Sequence, residues 1–194
     1  MKNLHRWLAV CFVLGALSVP AWAGGNANFV LGGRALDEDF WSPVDSQAVV
    51  GVTVDFGREG WPVHLETGIQ GSADDDDLFD VGLVKLTGSV GELSFGVNKT
   101  WKPKGNVRPF LGGGLASVTA RLEAETPLGD VDDEDTSGGV YVHGGVFWRL
   151  GERFNIGLDG RILVGTDITL FGAEGDADYA QFGLVLGWGW PAGK

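Results

Sequence analysis

Apolar residues alternate with small or polar ones along most of this chain, and a period of two is the mark of half-buried β-strands. In residues 47–56, Ala48, Val50, Val52, Val54 and Phe56 share one face, and Val49, Gly51, Thr53 and Asp55 share the other. Val63, Leu65, Thr67 and Ile69 oppose His64, Glu66, Gly68 and Gln70, while Leu93, Phe95, Val97 and Trp101 oppose Glu92, Ser94, Gly96, Asn98 and Thr100. Val140, Val142, Val146, Trp148 and Leu150 oppose Tyr141, His143, Gly145 and Arg149. Phe154, Ile156, Leu158, Ile162 and Val164 oppose Asn155, Gly157, Asp159 and Arg161, and Phe182, Leu184, Leu186, Trp188 and Trp190 oppose Gln181, Gly183, Gly187 and Gly189. Residues 27–36 and 107–123 read as two less regular strands. No window shows the i, i+3, i+4, i+7 spacing of an amphipathic helix. The pattern predicts an all-β fold of eight antiparallel strands, each of about ten residues, long enough to cross a bilayer when tilted.

The connections alternate in length. Residues 57–60, 102–106 and 151–153 are short turns; residues 37–46, 73–91, 124–138 and 168–178 are long. Both chain ends fall on the short-turn side, as in a transmembrane barrel with short periplasmic turns and long extracellular loops. Charge follows the same division. The long connections hold 18 of the 26 acidic residues and one base, Lys85, whereas Arg58, Lys102, Lys104 and Arg153 lie in or beside the short turns. Trp61, Trp101, Trp148, Trp188 and Trp190 gather at the short-turn ends, where indole rings form an interfacial belt in membrane proteins. Residues 81–90 carry strand character of their own. A separate ninth strand would put the termini on opposite sides, so they read as loop or as an extension of the 92–101 strand, with a ten-stranded barrel as the alternative.

Glycine contributes 33 of 194 residues, and the face opposite the apolar one is rich in it, as at Gly51, Gly68, Gly96, Gly112 and Gly114. Such a face suits the crowded interior of a narrow barrel, with the apolar face turned to lipid. A soluble eight-stranded barrel of the lipocalin type would reverse the two faces, but its Gly-x-Trp signature near the first strand is missing. The first 23 residues read as an export signal: Lys2 and Arg6, an apolar run over residues 8–17, and Ala21-Trp22-Ala23. Residues 24–194 would then form the barrel domain. Its net charge of −14, after loss of Lys2 and Arg6 from a chain of net −12, excludes a nucleic-acid partner. The one cysteine, Cys11, falls in the signal, so neither a disulfide framework nor a cysteine-ligated zinc site is available.

Charged residues on the inward face need partners. Arg34, Glu66, His143, Asp159 and Arg161 fall at mid-height, and Asp55, Arg108 and Arg149 near the short-turn mouth. Arg34, Arg161 and a protonated His143 are close enough in height to neutralise Glu66 and Asp159, with Asp159 the candidate partner of Arg161. Such a set reads as a neutralising plug, or alternatively as a narrow ion path. His64 and His143 sit in no nucleophile motif, which argues against catalysis. The acidic runs Asp74, Asp75, Asp76, Asp77 and Asp130, Asp132, Asp133, Glu134, Asp135 read as solvated flexible loops. Weak divalent-cation binding through their carboxylates is the alternative, although EF-hand spacing is absent. No firm metal site and no cofactor are expected.

Arg108-Pro109-Phe110-Leu111-Gly112-Gly113-Gly114-Leu115 is similar to a strand motif of many small barrel proteins, and the closing run 181–190 looks like the terminal signal read by the barrel-assembly machinery. Over residues 26–190 the chain resembles the eight-stranded outer-membrane barrels, the family of the OmpA transmembrane domain and OmpX. The resemblance implies an up-and-down transmembrane barrel in the outer membrane of a Gram-negative bacterium. It also implies an assembly signal at Gln181, Gly183, Leu186, Trp188 and Trp190, and a monomer among outer-membrane lipids and lipopolysaccharide. Four residues follow Trp190, whereas family members usually end on an aromatic. The functions that fit are a non-enzymatic structural or surface-interaction role with acidic extracellular loops, a narrow ion or small-solute channel, or a lipid-modifying barrel enzyme, for which no nucleophile, base and orienter converge.

Overall fold

The computed structural model describes residues 23–191 except 59, 78–83, 103–104 and 128, and the side chain of Asp77 also lies outside the description. The proposed signal segment, up to residue 22, and Lys104 are therefore outside the described residues. Eight long strands close into an antiparallel barrel: β1 (Gly24–Leu36), β2 (Ser46–Gly57), β3 (His64–Asp77), β4 (Lys85–Thr100), β5 (Val107–Thr126), β6 (Gly129–Leu150), β7 (Phe154–Val164) and β10 (Tyr179–Trp190). Each pairs with its neighbours in sequence, and β1 closes the ring against β10. A small hairpin, β8 (Ile168–Leu170) and β9 (Ala173–Gly175), and a one-turn helix, α1 (Glu38–Trp41), lie in the long connections. The helix departs from the purely β expectation; it is too short to leave a periodic signal.

The register fixes the shape. Following paired residues from Ser46 through Ala35, Ala180, Ile162, Val142, Gly113, Val97 and Leu65 returns to β2 at Phe56, ten residues along. A stagger of that size requires strongly tilted strands, typically about 35–45° from the barrel axis. Eight strands then leave an interior wide enough only for side chains.

The apolar face points outward. Leu115 is 68% exposed, Phe182 63% and Phe95 59%, whereas Arg34, Glu66, Glu92, His143, Asp159 and Arg161 on the opposite face are buried. This arrangement would be ruinous in water and is what a lipid-facing wall requires. Trp61, Trp101, Trp148 and Trp188 stand exposed at the short-turn rim. Trp190 is half-buried and donates its indole N–H to the Ala23 carbonyl at 3.0 Å.

Two long connections are more regular than the sequence suggests. β3 and β4 continue their pairing out to Asp77 and Lys85, so much of 73–91 is strand extension rather than loop, and residues 85–90 belong to β4. β5 and β6 pair as far as Thr126 and Gly129, so the expected loop 124–138 is a tall hairpin. The reason is visible on β5. Up to Leu115 the outward residues Leu111 and Leu115 are apolar, and the inward ones beside them, Gly112 and Gly114, are glycines. Above it Ser117, Thr119, Arg121 and Glu123 point outward, while Ala116, Val118, Ala120 and Leu122 point inward. β4 makes the same exchange, with Leu93, Phe95 and Val97 outward but Val90 and Leu86 inward. Apolar and polar faces swap where the strands leave lipid for water, and this swap is what made 107–123 look irregular.

Candidate functional site

The lumen is filled in three layers. The outermost is an apolar cap. Trp41 and Val44 from the first long connection, Val118 and Ala120 from β5, and Ile168, Leu170 and Ala177 from the last connection bury together, with Phe40, Leu86 and Leu122 against them. Polar contacts hold the cap on: the Trp41 indole donates to the Asp176 carbonyl at 2.8 Å. Asp178 accepts from the Gly165 and Thr166 amides at 3.0 and 2.9 Å and from the Thr166 hydroxyl at 2.7 Å. Burial, with Asp178 and Asp37 nearby, raises the Asp176 carboxyl above its ordinary value. On β6, Asp133, Asp135 and Ser137 share the inward-pointing parity. They accept the backbone N–H groups of Phe171, Thr169 and Asp167 at 2.6, 2.8 and 2.9 Å.

Beneath the cap lies a charged layer. Glu92 is its centre: it receives Arg34 Nη2 at 3.5 Å, Arg161 Nη2, and the Tyr179 hydroxyl. Arg34 also donates to Gln181 Oε1 at 2.9 Å and Ser72 Oγ at 3.3 Å and stacks on Tyr179, 3.8 Å from its ring centre. Arg161 donates to the Tyr179 hydroxyl at 2.9 Å and stacks on Tyr141 at 3.8 Å. His143 sits between two carboxylates, with Nδ1 2.9 Å from Asp159 Oδ2 and Nε2 2.9 Å from Glu66 Oε1. The second contact is off the line of a good hydrogen bond and is an ion-pair contact. Asn98 donates to the other Glu66 oxygen at 2.8 Å. With His143 protonated the layer balances three cations against three carboxylates. Gly112 makes room for the imidazole: a Cβ there would overlap His143 Nε2.

The third layer is apolar. Phe110 and Phe147 stack at 4.3 Å and 15°, packed with Val30 and Val185. A void of about 10 Å³ between this floor and the charges has room for about one water molecule. Below the floor the barrel opens at the short-turn end into a cavity of about 650 Å³. Arg108 and Arg149 line it. Asp55 is buried behind two of its lining residues, bound by His64 Nδ1 at 2.9 Å and Asn26 Nδ2 at 3.1 Å.

The structure brings together Arg34, Glu66, His143, Asp159 and Arg161 in one layer, and places Arg108 and Arg149 at the mouth. It corrects the pairing. Arg161 and Arg34 share Glu92, not Asp159 or Glu66, and Asp159 belongs to His143. Glu92 was missed because residues 73–91 read as loop, which put it at a strand end; β4 runs on to Lys85 and makes it mid-strand. Its parity with Ser94, Gly96 and Asn98 was the available signal. The acidic runs are not free loops either: Asp74–Asp76 lie on β3 and Asp130–Asp135 on β6. Lys85 pairs with Asp75 at 2.8 Å and Arg121 with Asp132 at 3.1 Å. Among the described residues no three acidic or histidine side chains converge as a metal cage. Gln181, expected in the assembly signal, is also a member of the charged layer, while Leu186 and Trp188 face outward and Gly183 inward.

No family model matches the chain, and no curated protein matches it significantly. Solved structures do. Ail, the attachment invasion locus protein of Yersinia pestis, crystallised with the heparin analogue sucrose octasulfate, is similar at a TM-score of 0.57 and 10% identity, over 87% of this chain and 97% of that one. A major outer membrane protein of Thermus thermophilus is similar at 0.55 and 13%, over 87% and 99%. This is the fold of the small eight-stranded outer-membrane β-barrels. Another such barrel, OprG from Pseudomonas aeruginosa, matches at 0.53 and 13% identity, over 88% of this chain and 95% of that one. At these identities the shared property is the barrel itself, and a barrel hosts many functions.

Proposed function

We propose that the chain is a closed, non-enzymatic outer-membrane barrel that holds an acidic hairpin above the cell surface of a Gram-negative bacterium. The filling of the lumen carries this reading: apolar cap, balanced charges and aromatic floor leave a residual void of about 10 Å³ in the charged layer, too little for an ion path. The same filling argues against lipid chemistry, since both ring nitrogens of His143 face carboxylates and no space for a substrate adjoins them. The apolar outer wall and the likeness to outer-membrane barrels support the location. The leader over residues 1–23 would export the chain, and the barrel-assembly machinery would read the closing strand through Gln181, Gly183, Leu186, Trp188 and Trp190. The barrel would stand as a monomer among outer-membrane lipids.

Outside, Glu123, Glu125, Asp130, Asp132 and Glu134 make the tall hairpin strongly anionic. It would repel a sulfated polyanion of the kind held in the Ail structure and would meet lipopolysaccharide phosphates only through bridging divalent cations. Reconstitution into planar bilayers tests closure. The wild-type protein should show no stable conductance steps. Steady single-channel currents would overturn the closed reading and make the chain a channel.

A further inference from the structure

The cavity at the short-turn end has no part in the closed-barrel reading. It measures about 650 Å³, the size of a small-molecule site, and opens along the barrel axis toward the side that holds both chain ends. Among the described residues its lining inverts the charge of the chain. In a protein of net charge −12, Arg58, Lys102, Arg108 and Arg149 converge on it. The buried carboxylate behind its wall, Asp55, is already taken by the lining residues His64 and Asn26.

Arg108 and Arg149 point inward from adjacent strands, Arg149 two residues along from Phe147, the residue that Arg108 pairs with. No ion pair joins either to a described carboxylate. Among the described residues the Arg108 Nε is buried without a hydrogen-bond partner, and the Arg149 side chain donates to the Glu152 carbonyl. Two like charges on neighbouring strands beside a buried unused donor favour an anion between them. A guanidinium pair presents planar forks that match carboxylate or phosphate oxygens. The rest of the cavity fits an organic body: Trp61 and Trp190 line its wall, and the amides of Asn26 and Asn155 its inner end.

We propose that this vestibule binds a small organic oxyanion, a phosphate- or carboxylate-bearing molecule drawn from the periplasmic side, with its charged end between Arg108 and Arg149. Positive potential focused in a low-dielectric mouth would concentrate such anions there.

Isothermal titration of the full barrel in phosphatidylcholine nanodiscs tests this, with pyrophosphate and citrate as probes. One-to-one binding of at least one probe is expected, weakening with added salt. Arg108→Gln and Arg149→Gln should each weaken it about tenfold or more, the loss of one charge-assisted contact. Arg121→Gln, on the outer hairpin, should leave it unchanged. Lys102→Gln, at the exposed rim, should weaken it by a smaller factor and serves if an arginine variant fails to fold. Without probe, Arg108→Gln should melt no lower than wild type, because it relieves repulsion; with probe, wild type alone should gain. Repeating the titration in phosphatidylglycerol nanodiscs identifies the source. Unchanged affinity marks a soluble anion, and competitive loss marks a lipid headgroup as the oxyanion. No heat from either probe up to about 10 mM, or binding unchanged in the arginine and Lys102 variants, overturns the proposal.

Discussion

Replacing Glu92 by glutamine keeps the shape of the central side chain and removes its charge. The Glu92 side chain is fully buried and serves both Arg34 and Arg161. At an effective dielectric constant of about 20, two unit charges 3.5 Å apart attract by about 5 kcal/mol before desolvation is counted. Measured losses on breaking one buried pair run about 3–5 kcal/mol, because the surviving charge stays buried without compensation. Here two guanidiniums survive, and the amide nitrogen turns a donor toward a guanidinium that can only donate, so the cost should fall in the upper part of that range. Urea titration of the barrel in lipid vesicles gives the quantity, read from the faster gel migration of the unboiled folded form. Pairing Glu92→Gln with Arg161→Met should recover part of the loss, with a coupling of about 0.5–3 kcal/mol. A single-variant loss below about 1 kcal/mol, the scale of a solvated surface pair, or strictly additive losses in the cycle, would refute the central role given to Glu92.

Gly112→Ala should destabilise the folded barrel by about 1–3 kcal/mol in the same assay, because the new methyl group meets the His143 ring and overpacked interiors pay on that scale. Asp176 should report on the outer cap. Its carboxyl holds a proton more tightly folded than unfolded, so the cap gains stability as pH falls into the range just above the ordinary carboxylate value and is penalised above it. Asp176→Asn should therefore slow amide exchange at Ala177 at neutral pH, and the gain should fade on acidification; a gain that grew with acid would contradict the assignment. An epitope inserted at residues 127–128 should be reached by antibody on intact cells, and one in the turn at 151–153 should not; the reverse would invert the topology.

Most of the barrel was legible in the sequence because lipid imposes one rule along every crossing strand: apolar out, small or polar in. Where that rule holds, as on β2, β7 and β10, strands and faces read correctly. It fails where strands rise into water and reverse it. Ala116, Val118 and Ala120 face inward for the reason any soluble core residue does, and read against a single period they looked like disorder in the pattern. Trp41 and Val44 carried no signal at all, since their burial depends on partners more than a hundred residues away, such as Ile168 and Ala177. Height along each strand gathered Arg34, His143 and Arg161 correctly. It could not choose partners, because neighbouring strands are staggered and the decisive carboxylate, Glu92, had been assigned to the end of a strand that runs on past it.

The contacts of Asp133, Asp135 and Ser137 with the amides of Phe171, Thr169 and Asp167 mean that two surface connections share one folding unit. Every second side chain on one connection meets every second amide on the other, so spacing as well as chemistry must match. A loop exchange with another barrel that moves either connection alone would strand a row of acceptors or a row of donors. Pro127, at the tip, is not among the residues coupled in this way. Variation at the surface is therefore cheap at the tip and costly at the flanks, and a graft that respects the coupling would carry residues 129–139 and 165–178 together.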